Sequence, residues 1–140
     1  MKILIPVDGS EYTKRAVDFL FDHRAFFDLK AEITLLNVRR LTPKLVTATV
    51  RPEVIEEHEG VEVEKAMGWA RKRFEDSRLP FVPKLEFGDP GKQIVELAEK
   101  GNFDMIVMGS RGHGSVPGML IGSTTFKVLG ACKVPVLVIR

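Results

Sequence analysis

Ile3-Leu4-Ile5-Pro6-Val7 is an unbroken apolar run, closed by Asp8-Gly9-Ser10. A run of this kind reads as a strand buried on both faces, the mark of a parallel sheet. Ser10 stands where a helix N-cap belongs, with Glu11 at the positive end of the helix dipole. Tyr12, Ala16, Phe19, Leu20 and His23 then recur at helical spacing to about residue 28.

The same strand-then-helix pattern repeats outward. A second apolar run, Ile33 to Val38, gives a second strand, and the polar, Pro-bounded stretch from Arg39 to Pro52 reads as a flexible loop. From Glu53 to about Ser77, Val63, Met67, Ala70 and Phe74 step by four, three and four, a long amphipathic helix that Gly60 and Gly68 would kink or break. Phe81 to Phe87 alternates loosely, and Pro83 sends that strand to a sheet edge because it cannot donate to a ladder. Gly88 to Gly91 turns into a short helix carrying Ile94, Leu97 and Ala98, followed by a fourth strand, Phe103 to Met108. After a glycine-rich loop, 109–122, a helix begins near Ser123 and is expected to bury Val128, Leu129 and Cys132. Residues 134–139 form a fifth strand. Alternation of strand and helix means right-handed crossovers onto a mostly parallel sheet. The fold class is α/β, one doubly wound domain over residues 1–140 with helices on both faces.

Composition narrows the function. A chain of 140 residues with 44% apolar and 29% charged side chains is globular rather than disordered, collagenous or coiled-coil. Its net charge of +2 is well mixed, which disfavours nucleic acid as a partner. One cysteine, Cys132, excludes an internal disulfide framework and a Cys-rich metal site, and fits a reducing compartment. The N-terminal apolar run is too short for a signal core or a membrane span, so the chain reads as cytoplasmic with no membrane partner.

In open parallel sheets, ligands bind beyond the carboxyl ends of the strands, where strand order reverses. Asp8, Val38, Arg39 and the 109–122 loop occupy those ends. The loop places glycines at 109, 112, 114, 118 and 122. So many glycines are entropically costly unless backbone must approach something closely or several N–H groups must converge. Converging amides followed by a helix start make an anion nest, with Ser123 and Thr124 as hydroxyl donors and Arg111 and His113 as positive charge. The guest is then a phosphorylated small molecule; a mobile connection is the alternative. No P-loop lysine is present, and Pro117 stands where a dinucleotide fingerprint wants glycine. Asp8 could instead cap the first helix, although Ser10 is better placed to do so. Glu53, Glu56, Glu57 and Glu59 around His58 read as a solvated helix start rather than a metal site. His113 has no nearby group to orient it as an acid or base, and a receiver domain would need an acidic cluster at two strand ends.

These features resemble the universal stress protein family. Gly109, Gly112, Gly122 and Ser123 match the motif G-x2-G-x9-G-[ST] of its ATP-binding branch, and residues 3–10 and 135–140 resemble the family's opening and closing strands. The resemblance implies a five-stranded sheet of order 3-2-1-4-5 and an ATP site between strands one and four. It implies that Pro6, Val7 and Asp8 contact adenine and ribose, with Val38 and Met108 lining the base pocket. Gly109, Ser110, Arg111, Gly112, His113 and Gly114 would wrap ribose and phosphates, and Gly122, Ser123 and Thr124 would hold the β and γ phosphates. A Mg²⁺ ion would be carried mainly by the nucleotide. The chain departs from the family at Pro117-Gly118-Met119, where many relatives have a basic residue and leucines, and at Thr124, where a small aliphatic residue is common. An apolar edge strand at 134–139 is an association hazard unless paired, and pairing with its symmetry mate gives a two-fold homodimer, as is familiar in the family. The expected function is an ATP-dependent stress or signalling switch with no catalytic residue and at most slow ATP hydrolysis. The alternatives are an interaction module that does not use nucleotide and an enzyme of adenylyl transfer.

Overall fold

The structure, a computed structural model, describes residues 1–25, 27, 31–40, 52–114 and 118–140. Five strands, β1 (Lys2–Pro6), β2 (Glu32–Arg39), β3 (Phe81–Phe87), β4 (Met105–Gly109) and β5 (Val136–Ile139), form one sheet of order β3-β2-β1-β4-β5. All of its pairings are parallel. The helices are α1 (Glu11–Asp22), α2 (Pro52–Asp76), α3 (Pro90–Lys100) and α4 (Ser123–Ala131).

The unbroken apolar character of β1 follows from its position. Ile3, Ile5 and Val7 face α1 and α2, packing with Ala16, Val17, Leu20, Met67, Ala70 and Phe74. Leu4 turns the other way, into a second core with Leu36, Ile106, Ile94, Ala98 and Val128. Side chains alternate across a strand, so a strand covered on both sides needs apolar residues at every position. Pro83 lies on β3, at one edge of the sheet, and β5 forms the other.

Strand order reverses between β1 and β4. Their ladder runs only through Ile3↔Met105 and Leu4↔Ile106. Beyond it, Ile5 to Asp8 and Val107 to Gly109 are not ladder partners, and a crevice opens between them at the carboxyl ends.

Several boundaries differ from the sequence reading. Helix α1 ends at Asp22, with His23 as its C-cap donating to the Phe19 carbonyl. Helix α2 runs on through Gly60 and Gly68 without a break, because packing of Ala66, Met67, Ala70 and Phe74 outweighs two glycine propensities. Strand β4 begins at Met105, since the Phe103 amide still donates to the Ala98 carbonyl to finish the turn after α3. Leu129 is 44% exposed, and Cys132 is half-buried at the C-cap of α4; of the three residues expected inside, only Val128 is buried. The loop assigned to 39–52 falls mostly outside the described residues, as do the side chains of Glu53 to Glu59, and Pro117.

Candidate functional site

The crevice is a cavity of about 520 Å³ above the carboxyl ends of β1, β2 and β4, closed by the starts of α3 and α4. That volume is in the range that holds a nucleotide-sized ligand. Most of the residues singled out from the sequence meet there: Pro6, Val7 and Asp8 after β1, Val38 of β2, and Met108 and Gly109 of β4. Arg111, Gly112, His113 and Gly114 border it from the loop, and Gly122, Ser123 and Thr124 from the start of α4.

Ser110 does not line the cavity. It is 2% exposed, its N–H donates to the Ile139 carbonyl at 2.6 Å, and its own carbonyl accepts from Gly122 N–H at 2.8 Å. Ser110 thus continues the β4–β5 ladder by one bond and stitches the two ends of the glycine loop together.

Asp8 is the carboxylate of the site. Its Oδ1 accepts from Thr13 Oγ1 at 2.6 Å and from Ser10 N–H at 3.0 Å, while Oδ2 accepts from His113 N–H at 3.1 Å. Burial works against ionisation, but the hydrogen bonds from Ser10, Thr13 and His113 outweigh it and hold the pKa below the ordinary carboxylate value. An ionised carboxylate offers about four acceptor positions. Three are met by these bonds. The cap role itself falls to Ser10, whose side chain accepts from Thr13 N–H.

Two of the motif glycines are required by the protein's own packing. A Cβ on Gly109 would lie 2.7 Å from the Cβ, carbonyl carbon and carbonyl oxygen of Tyr12, and one on Gly112 would fall on Asp8 Oδ2. Close approach is the right reason for glycine here, but α1 and Asp8 are what approach.

Helix α4 presents its N-terminus to the cavity with Gly122 as an N-cap that makes no side-chain hydrogen bond. The first N–H groups of a helix have no partner within it and carry partial positive charge. Thr125, buried, donates its hydroxyl to the Gly109 carbonyl at 3.0 Å and fixes this terminus against the end of β4.

Sequence reasoning missed Asn37, Arg40, Ala66 and Ile94 as cavity residues, and noted Arg39 only by position. Asn37 is 3% exposed in an otherwise apolar strand, which is a signal the sequence did carry. Its Nδ2 donates to the Val7 carbonyl at 2.7 Å, replacing a ladder bond where β1 has turned away. Ala66 comes from α2, and nothing local marks it. Among the described residues, three buried side-chain polar atoms lack a partner: Asn37 Oδ1, Arg39 Nε and Arg111 Nε. All three belong to residues that line this cavity. No cluster of three or more metal-ligating side chains occurs among the described residues, and no helix among them is long and apolar enough to cross a membrane.

A model of the universal stress protein family matches residues 1–140. Universal stress protein MJ0531 of Methanocaldococcus jannaschii is 31% identical over 140 residues, spanning 99% of this chain and 81% of that protein. The solved structure of MJ0577, from the same organism, is 30% identical and superposes with a TM-score of 0.75 over 99% of this chain and 94% of its own. A universal stress protein family protein from Arabidopsis thaliana with AMP bound, 18% identical, shares the fold at a TM-score of 0.70, covering 99% of this chain and 90% of that one.

Proposed function

The chain belongs to the universal stress protein family, and we propose that within it this protein binds ATP and acts as a nucleotide-dependent stress or signalling switch. The observation that carries the reading is a cavity of nucleotide size bounded by the carboxylate of Asp8 on one side and by the uncapped start of α4 on the other. AMP bound to a protein of the same fold supports an adenine nucleotide as the guest.

In this reading Val7, Val38 and Met108 flank the base, and Asp8 accepts from a ribose hydroxyl. The first turn of α4, with the hydroxyls of Ser123 and Thr124, neutralises the distal phosphates. Asp8 is the one carboxylate among the described cavity residues, and three donors occupy it. A divalent ion would therefore ride on the phosphates. A carboxylate with a lowered pKa is also a poor base for activating water, so binding rather than turnover is the proposed activity.

The free edge of β5 pairs with a second copy to make a homodimer, and the protein works in the cytoplasm. Calorimetric titration with ATP·Mg²⁺ and AMP, together with the mass of any small molecule that co-purifies, tests the core claim. Saturable binding of an adenine nucleotide is the expected result. A protein that binds neither and carries nothing would be an interaction module instead.

A further inference from the structure

Arg111 borders the cavity, yet none of the ion pairs among the described residues includes it, and its Nε is one of the three unpaired buried atoms. Its guanidinium carbon lies 5.3 Å from the centre of the Tyr12 ring. The main chain and Cβ of Tyr12 lie against the bare backbone of Gly109, where a side chain would strike them. Arg15 lies over the same ring at 5.5 Å. A planar guanidinium can stack on an aromatic ring and still offer N–H groups at its rim, which an ammonium cannot do as well.

From this juxtaposition we infer that Tyr12 is a positioning residue. It holds Arg111 against the cavity wall as the group that senses phosphate charge, and so sets the preference for a polyphosphate over a monophosphate. The inference rests on reading the cavity as a nucleotide site, and it assigns Gly109 the task of bringing α1 close enough for Tyr12 to reach the loop. At the glycine-loop end, Arg111 is the one guanidinium among the described cavity residues, whereas Arg39 and Arg40 stand at the end of β2. Removing it, or letting it swing free, should weaken ligands in proportion to their charge.

The test is calorimetric titration of the full chain with ATP·Mg²⁺, AMP and inorganic tripolyphosphate, in the wild type and in Arg111→Gln, Tyr12→Leu and Tyr12→Phe. Arg111→Gln should weaken ATP about tenfold or more and AMP far less. Tyr12→Leu should lower the ATP-to-AMP preference about two- to fivefold, and Tyr12→Phe, which keeps the ring, should restore it. In the Arg111→Gln background, Tyr12→Leu should have no further effect on that preference. Arg111→Lys, which leaves Tyr12 intact, should lose selectivity as Tyr12→Leu does. An unchanged ATP-to-AMP preference in Tyr12→Leu, equal loss of both nucleotides, or additive effects in the double variant would each overturn the inference. If the wild type takes tripolyphosphate but no nucleotide, the nucleotide reading fails while the Tyr12 series on tripolyphosphate still decides this one. If it binds no polyanion at all, the inference falls too.

Discussion

The carboxylate of Asp8, at the end of β1, accepts a hydrogen bond from the main-chain N–H of His113 at 3.1 Å, joining positions 105 residues apart. This bond ties the first strand-to-helix turn to the glycine loop, and it strengthens with the charge of one side chain.

That dependence has a direction. The folded pKa of Asp8 lies below its ordinary value of 3.8, so its contribution to stability is fully present above that value and is lost as pH falls through the lower folded one. Unfolding free energies of the wild type and Asp8→Asn, measured from pH 7 to pH 2.5, should differ by a constant amount down to about pH 5 and converge in acid. Asp8→Asn should be the less stable of the two at neutral pH. A difference that persists undiminished at pH 2.5 would show that the charge is not what matters.

Gly109→Ala should destabilise the protein by about 1–3 kcal/mol with no ligand present, because the new methyl meets Tyr12 backbone rather than a movable side chain. Thermal unfolding of the ligand-free protein reads this directly. An unchanged midpoint would mean that α1 and β4 can separate without cost.

Gly122→Val should abolish nucleotide binding at a modest cost in stability, because its Cβ presses on the Arg111 main chain. Gly122 has φ −77° and ψ 160°, open to any residue, and a Cβ there would sit 3.3 Å from Arg111 Cα and 3.6 Å from the Ser110 carbonyl oxygen. The valine methyls would crowd the anion site at the start of α4. Titration with ATP·Mg²⁺ beside a circular dichroism spectrum checks both halves, and undiminished affinity would place the phosphates elsewhere.

In the proposed homodimer, Val138→Pro should separate the two copies while preserving the fold. Pro135 and Ile139 turn their carbonyls to Ile106 and Ser110 of the β4 side, so the period of two turns the main chain of Val138 toward the free edge. Proline removes one outward donor there and is tolerated on an edge. Sedimentation at several concentrations decides it; a dimer that survives the substitution pairs through another surface, such as exposed Phe126 and Leu129 of α4.

Much of the architecture could be read from the chain because its signals are local. Apolar residues on β1 and the four-three-four spacing of Val63, Met67, Ala70 and Phe74 record burial within a few residues of each position, and strand–helix alternation then restricts the topology. The candidate site was legible to the extent that its residues follow strands or sit in the glycine loop. Ser110 looked like its neighbours and turned inward, because the β4–β5 ladder claims its amide.

Sequence alone therefore determined the element types and the parallel sheet, and pointed to residues for the candidate site, since periodicity and turn chemistry act over one to four positions. Tertiary structure decided which groups share a wall: Asn37 and Arg39 from β2, Ala66 from α2, and Tyr12 beneath Arg111. Those neighbours depend on strand order and on how closely α1 and α2 press against the sheet, and no spacing along the chain encodes a distance across it.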